Sequence, residues 1–357
     1  MTGRGIDQIL PHQSPPRIYE PYVLDARQYL ELAEETNGLI PHPVGFSYVW
    51  GDTLQILERS APDARIINLE TAVTTSGDYW KGKGINYRME PRNIPTITAA
   101  AIDVCSLANN HVLDWGYGGL SETIRTLKSA GIGFAGAGSN LPEAQAPAIV
   151  ELKGKGRVIV FAFGSESSGI PEEWGATADA PGVNLLTDLG KGTVRSIASR
   201  IHRVKRPGDI VIASIHWGGN WGYDIPLEEK EFAHELIDTA GADIIHGHSS
   251  HHVKGIEVYH GRPIIYGCGD FINDYEGIGG EELYRGDLGL IYLVEMEPAS
   301  GRLTGLTMWP TRIIHFRVNH ASKGEAAWLM ETLNREGKRF GTHVKKGVDD
   351  TLILRWQ

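Results

Sequence analysis

The sequence predicts an α/β fold built around a mainly parallel sheet, and three observations predict it. Short β-branched runs alternate with amphipathic stretches from Asp52 to about Phe271, the pattern of successive strand and helix units. Hydrophobic runs repeatedly stop at a residue able to bind metal or move a proton: Ile66-Ile67-Asn68-Leu69-Glu70, Val104 to Asn110-His111, Ile210 to His216, Ile244 to His248 and Ile264 to Asp270. In an open α/β sheet the carboxyl ends of the strands share one edge, so residues distant in sequence converge there. After Gly286 the rhythm changes to two runs joined by a short turn at Pro298 to Gly301, which must pair antiparallel.

Taken in order, the first fifty residues carry prolines at 11, 15, 16, 21, 41 and 43 around one helical stretch from about Ala26 to Thr36. They read as a covering segment. Amphipathic helices follow at Gly119 to Ala130, Thr193 to Val204 and Glu228 to Thr239, each after a strand. Leu288 to Met296 and Leu303 to Trp309 form the antiparallel pair. A helix near Lys323 to Phe340 and a strand from Thr351 to Trp356 end the chain. The organisation expected is a main domain over residues 1–315, including the 1–50 segment, and a C-terminal extension over 316–357.

At 357 residues, 41% hydrophobic and 22% charged, the chain can bury a large core. A formal net charge of -10 argues against nucleic acid or an anionic membrane as partner. An anionic substrate would then need a local cluster of cations. The two cysteines, Cys105 and Cys268, fall in predicted strands and not in a paired motif, which suits free thiols in a reducing compartment. No window approaches the roughly 18 apolar residues of a membrane span, and the N-terminus shows no signal pattern. A cytoplasmic location without a membrane segment is expected.

The chemistry concentrates at the strand ends. Asn109-Asn110-His111 sets amide oxygens and an imidazole on one edge, where they can complete a metal shell or donate a proton. The same residues also suit turn hydrogen bonds and a helix cap. Glu70 taken alone reads first as a carboxylate that caps a turn or meets a lysine. His216 precedes Trp217-Gly218-Gly219-Asn220-Trp221, whose tryptophans can wall a pocket. The strongest signal is His246-Gly247-His248-Ser249-Ser250-His251-His252, four of the chain's 14 histidines within seven residues. Imidazole is the commonest side-chain ligand of transition metals. A carboxylate, an amide and several imidazoles form a mixed shell for Zn²⁺, Mn²⁺ or Fe²⁺, and two such ions about 4 Å apart activate a bridging water. Hydrolysis is the simplest chemistry for that set.

Together, Asn68-Leu69-Glu70, Leu107-Ala108-Asn109-Asn110-His111, Ile215-His216-Trp217-Gly218, Ile245-His246-Gly247-His248-Ser249-Ser250-His251 and Tyr266-Gly267-Cys268-Gly269-Asp270-Phe271 resemble the CapA/PgsA family, named for poly-γ-glutamate capsule synthesis. The resemblance runs from Met1 to about Ile314. The family looks like a branch of the calcineurin-like metallophosphoesterases, which implies a four-layer α/β/β/α sandwich with two divalent metals, Mn, Zn or Fe, between its sheets. It further implies Glu70 as a bridging or first-metal carboxylate and Asn110 as a second-metal ligand. His111 would be the catalytic imidazole, with His216, His248 and His251 completing the shells. Many relatives read Gly-His-His-Pro-His where this chain has Ser249, so His246 and His252 are alternate ligands.

One departure lies at the start. Relatives open with an apolar strand ending Gly-Asp-Val-Met, whose Asp binds metal, whereas here Met1 stands at the motif's last position. The expected first strand and its carboxylate are thus absent from this chain, either because the true start lies upstream or because the protein lacks them, and partial or no metal occupancy is expected. Asp7 and Asp52, expected in loops, are poorly placed to compensate. Lys81, Lys83, Arg88 and Arg92 surround Trp80 to Pro91 and read either as a solvated basic loop or as an anion site. Lys83, Arg88, Trp217 and Asp270 are the expected substrate contacts. The function expected is a metal-dependent hydrolase of a small anionic or polyanionic, γ-glutamyl-like substrate. The alternative is a non-catalytic accessory protein bound to polyglutamate synthase subunits.

Overall fold

In the computed structural model, which describes residues 1–357, the chain forms a mixed α/β fold with separate parallel and antiparallel sheets. A three-stranded parallel sheet holds β1 (Ile66–Asn68), β2 (Val104–Ser106) and β3 (Gly133–Ala135) in that order. A seven-stranded sheet holds β4 (Ala148–Leu152), β5 (Gly156–Ser165), β6 (Leu185–Leu186), β7 (Ile210–His216), β8 (Ile244–His248), β9 (Ile256–Tyr259) and β10 (Arg262–Ile265). Its order is β6-β5-β7-β8-β10-β9, with β4 antiparallel to β5. The third sheet is antiparallel: β11 (Leu288–Glu297), β12 (Arg302–Ile314), β13 (Arg317–His320), β14 (Thr342–Lys346) and β15 (Leu352–Trp356).

Alternation along each strand divides the core. From the parallel sheet, Val104, Ala108 and Ala135 pack with Ala148, Val158, Val160, Ala162, Ile210, Ile212 and Ile244 of the larger sheet. Small residues dominate this contact and let the two backbones approach closely. Gly136, at φ +92°, shows how closely: a Cβ there would lie 2.7 Å from both Ala108 Cβ and Ala162 Cβ, so only glycine fits. The opposite residues of the larger sheet, Val211, Ala213, Ile215 and Ile245, cover the helices Lys191–Val204 and Leu227–Asp238. Cys105, Leu107 and the helix Gly116–Ser129 belong to the largest core.

Residues 1–50 do more than cover this core. Gly5–Ile9 is a short helix whose Ile6 and Ile9, with Leu10, are completely buried in the largest apolar cluster. Asp7 therefore lies in a helix and not in a loop. It accepts hydrogen bonds from the backbone N–H of Ser14 (2.7 Å) and Glu90 (2.8 Å) and from Asn93 (3.0 Å). Residues 316–357 contribute β13, β14 and β15 to the sheet of β11 and β12, backed by the helix Lys323–Gly337. The carboxylate of Glu276 ties this sheet to the N-terminal region, accepting from His315 N (2.9 Å), Phe316 N (2.5 Å) and Asn37 Nδ2 (2.6 Å).

Two expectations shift. β10 ends at Ile265, so Cys268 lies in the following loop and not inside a strand, and Asp270 follows further along that loop. The reason is the turn chemistry of Gly267 and Gly269, the latter at φ +74°. Both thiols are free. No helix is long and apolar enough to cross a membrane.

Candidate functional site at the strand ends

Parallel pairing builds the site. β7 and β8 run in register, with Ser214 beside His246 and His216 beside His248. Residues two apart on a strand share a face, so all four side chains emerge on the side away from the helices. Gly247 between the two histidines permits tight backbone packing, since a Cβ there would meet Tyr266 O at 2.5 Å. The polar atoms then form a line. Ser214 Oγ lies 3.0 Å from His246 Nδ1 and 2.9 Å from His248 Nε2, and His248 Nδ1 lies 2.7 Å from His216 Nδ1. At the far end His216 Nε2 is 3.2 Å from Asn110 Oδ1 and 3.7 Å from Glu70 Oε1.

The facing half comes from the loops after β1 and β2. Asn109, wholly buried, donates to Asn68 Oδ1 and to the Leu69 carbonyl, both at 3.0 Å, and its Oδ1 accepts from His111 N at 3.1 Å. Asn68 Nδ2 donates to Glu70 Oε2 at 2.9 Å. This amide frame fixes Glu70, Asn110 and His111 relative to one another. His111 Nδ1 meets Asp114 Oδ2 at 2.7 Å, and Lys83 Nζ reaches both side chains, 3.5 Å from His111 Nδ1 and 3.4 Å from Asp114 Oδ1. Tyr87 packs edge-on to the His111 ring.

A third group joins the loop after β8 to the loop after β10. His251 Nδ1 pairs with Asp270 Oδ1 at 3.0 Å, Asn273 Nδ2 donates to Asp270 Oδ2 at 2.8 Å, and Tyr275 Oη lies 3.4 Å from His251 Nε2. Ser249, at φ 110°, reverses the chain between His248 and His251 and donates to the Gly218 carbonyl. A non-glycine residue in that conformation is strained. The Met1 amine donates to Ile272 O at 2.8 Å and lies within the field of Asp270 and Glu70.

Burial sets the charge states. It raises the Glu70 carboxyl to about 7, against the opposing pull of His251, and the Asp114 carboxyl to about 7 against Lys83. Burial also holds the His111, His216 and His248 imidazoles well below their usual range, and His246 down to about 4. His251 differs. Burial opposes its charged form, but Asp270 outweighs this and raises it, while His251 in turn keeps Asp270 low despite burial. The site thus combines neutral imidazoles with one ion pair and the ammonium of Lys83.

The structure brings Glu70, Asn110, His111, His216, His246, His248, His251, Asp270 and Lys83 into one neighbourhood. Others lie elsewhere. His252 stacks with Trp221 and Tyr284 and sits edge-on to Tyr223. The Arg88 guanidinium donates to the Ser76 and Pro15 carbonyls and lies over Trp115, so its cation is held by backbone. Trp217 is buried in the helix-side core, with Nε1 donating to Tyr266 O, so Trp221 is the tryptophan that borders His251. Sequence reading passed over Ser214 and gave Asp114 no role. The signal for Ser214 was its place two residues before His216 on a strand otherwise apolar.

No three histidine, cysteine or acidic side chains surround a common point. The tightest grouping is His216 Nε2, Asn110 Oδ1 and Glu70 Oε1, with edges of 3.2 and 3.7 Å from the imidazole nitrogen. Donors about 2.1 Å from a shared divalent ion stand roughly 3.0–3.5 Å apart. The three suit such an ion in their N/O chemistry; the His216–Asn110 spacing falls in that range and the His216–Glu70 spacing lies just beyond it.

The family model described as bacterial capsule synthesis protein PGA_cap matches residues 1–275. Two Mycobacterium tuberculosis proteins, from strains CDC 1551 / Oshkosh and ATCC 25618 / H37Rv, are each named probable polyglutamine synthesis accessory protein. Each is 48% identical to this chain over 353 residues, 99% of this chain and 93% of the relative. The PGA biosynthesis protein CapA of Bacillus subtilis strain 168 is 30% identical over 208 residues, 58% of this chain and 52% of its own length. With the motifs in one neighbourhood and more than half of the sequence matched, the chain belongs to the bacterial capsule synthesis protein PGA_cap family.

Proposed function

We propose that the protein is a metal-dependent hydrolase of the metallophosphoesterase type, acting on an anionic substrate such as a γ-glutamyl amide or a phosphate ester. The observation that carries this reading is the meeting of His216 Nε2, Asn110 Oδ1 and Glu70 Oε1, a mixed N/O donor set whose two oxygens lie 3.2 and 3.7 Å from the imidazole nitrogen. The packing of two sheets through Ala and Val, with helices beyond the larger one, supports the four-layer sandwich that goes with it. The main domain would then span 1–315 and the extension 316–357. A cytoplasmic location belongs to the same reading and draws on the free thiols.

Glu70, Asn110 and His216 would hold a first divalent ion, with His248, His251 and Asp270 the donors nearest a second. Such ions supply Lewis acidity and a water acidic enough to act as nucleophile near neutral pH. His111, oriented by Asp114 at 2.7 Å, starts neutral, so its free ring nitrogen takes the proton released by the attacking water and hands it to the leaving group. Lys83 faces the same pocket on a segment flanked by Gly82 and Gly84. Its ammonium anchors the substrate anion.

The test is metal content and turnover of aryl phosphate and γ-glutamyl anilide by Mn²⁺- or Zn²⁺-loaded protein. His111→Ala should lower kcat about 10²–10⁴-fold with the metal retained. Wild-type turnover no greater than that of His111→Ala on both substrates overturns the catalytic reading. A second reading, a non-catalytic accessory protein of poly-γ-glutamate synthesis, draws on the names of the mycobacterial relatives. It requires a stable complex with the synthase subunits, which co-purification would reveal.

A further inference from the structure

We propose that the outer face of the helix Lys191–Val204 is a docking track for an extended polycarboxylate chain, with Arg195, Arg200 and Arg203 as its anion contacts. The inference rests on the γ-glutamyl reading above for the choice of polymer. An acidic protein of net charge -10 needs a local cluster of cations to hold a polyanion. The basic segment from Lys81 to Arg92 does not provide one: Arg88 is held by backbone carbonyls, Arg92 pairs with Glu90 at 2.8 Å, and Lys83 is its one side chain at the site. The cluster lies instead on this helix. Its sequence, Lys-Gly-Thr-Val-Arg-Ser-Ile-Ala-Ser-Arg-Ile-His-Arg-Val, contains no acidic residue, and Lys205 and Arg206 follow directly.

Stability of the fold does not ask for this arrangement. A helix favours acidic side chains in its first turn, yet this one begins with Lys191 and has none there. Arg200 and Arg203, three apart, form a like-charge pair. Val194, Ile197, Ala198 and Ile201 hold the helix on the sheet, which leaves the cations on the outer side. Lys191 lies 3.8 Å from Glu235 and Lys205 lies 2.7 Å from Asp243, but no carboxylate pairs with Arg195, Arg200 or Arg203. Arg203 Nε donates only to the Ser199 carbonyl, at 3.1 Å. In Arg200, Nε and Nη1 are shut off from solvent and meet no acceptor. Burial and the charge of Arg203 hold its guanidinium below the usual arginine range. Donors stranded in this way are costly, and a carboxylate set between Arg200 and Arg203 would satisfy both forks.

The shape of the patch selects its occupant. The neighbouring helix Leu227–Asp238 is acidic, with Glu228, Glu231 and Asp238 exposed, so the cations form a stripe one helix wide. A flat anionic membrane or a wide duplex would meet those carboxylates as well, whereas a thin flexible chain follows the stripe. Arg195 and Arg203, eight residues apart, span about 12 Å along the axis. The helix follows β6, which runs parallel to β5, and β5 runs parallel to β7. Its first turn therefore starts at the sheet edge that carries the site, and a chain on the track is led toward that edge.

The experiment follows binding of a fluorescent poly-γ-glutamate oligomer to the full chain by anisotropy, with a chelator present so that metal-dependent turnover plays no part. Wild type should bind, and more weakly as salt rises. Arg195→Ser combined with Arg203→Ser, both at exposed positions, should raise Kd about 5–30-fold, since each exposed ion pair contributes up to about fivefold. Arg200→Gln should raise it at least about 10-fold; if that variant does not fold, the exposed pair decides. Lys345→Ser combined with Arg355→Ser removes the same charge from exposed positions on β14 and β15 and should leave Kd within about twofold. A wild type that does not bind, an unchanged Kd in the helix variants, or an equal loss in the Lys345 and Arg355 variant overturns the inference. Tighter binding of anionic phospholipid vesicles or of a single-stranded oligonucleotide than of the polyglutamate overturns the assignment of the occupant. Turnover of γ-glutamyl anilide by metal-loaded wild type is scored separately: its absence defeats the hydrolase reading and leaves the track standing, whereas absence of polymer binding defeats the track alone.

Discussion

The two halves of the site are built on different principles. On the side of β1 and β2, amide groups organise the residues through backbone and side chain alike: Asn109 holds the Leu69 carbonyl and the His111 N–H, while Asn68 holds Glu70. On the side of β7 and β8, the links run from imidazole to hydroxyl to imidazole. An amide has fixed donors and acceptors, so the Asn68–Asn109 frame keeps one arrangement while the Glu70 and Asp114 carboxyls beside it, raised to about 7, change charge. An imidazole exchanges donor for acceptor, so the second half responds to protons and cations. Shape is set by one half and state by the other.

The largest effect should come from the imidazole half. His216→Ala removes the ring at which its line of contacts meets Asn110 and Glu70, and should weaken Zn²⁺ or Mn²⁺ binding by at least about 100-fold, read by calorimetry. A smaller loss would mean that the two halves do not meet at a shared ion. Asn109→Ala attacks the other half. It strands a buried carbonyl and a buried N–H, each worth about 1–3 kcal/mol, so urea denaturation should show a loss of about 2–4 kcal/mol. A loss below about 0.5 kcal/mol would show that the amide frame is not what holds these loops.

A third test sharpens the contrast by asking what backbone donors do to a buried carboxylate away from the site. Asp7 is raised to about 6, burial outweighing the hydrogen bonds from Glu90, Ser14 and Asn93. The folded state therefore binds this proton more tightly than the unfolded chain does. Its contribution is most favourable below the unfolded value near 4, declines as pH rises through about 6, and is then flat. About two pH units correspond to at most about 3 kcal/mol. Asp7→Asn should flatten stability between pH 4 and 6 in urea titrations, at a constant cost because its amide NH₂ opposes a backbone N–H. A slope unchanged by the substitution would assign the dependence to other groups.

Much of this was legible in the sequence because strand ends in a parallel sheet share an edge, so a list of runs ending on Glu70, Asn110, His216 and His248 amounts to a list of neighbours. The helices near 26–36, 193–204 and 228–239 and the antiparallel pair after Gly286 follow from periodicity alone and lie within a few residues of their positions in the structure. What escaped lacked a chemical flag or needed register. β5, Gly156–Ser165, pairs with the whole of β7 yet carries no metal-binding residue, and a reading led by such residues passes over it. Arg88 and Trp217 have the composition of a binding pocket, but their partners, the Pro15 and Tyr266 carbonyls, come from other parts of the chain. Ser214 acquires meaning only once β7 lies beside β8.

Glu276 has a reach beyond its own turn. It accepts the His315 and Phe316 N–H groups where β12 turns into β13, and it directly follows Tyr275, whose hydroxyl touches His251. The corner between β12 and β13 and the His251–Asp270 pair are thereby anchored on adjacent residues of one loop, so the sheet and the site share a single short stretch of backbone.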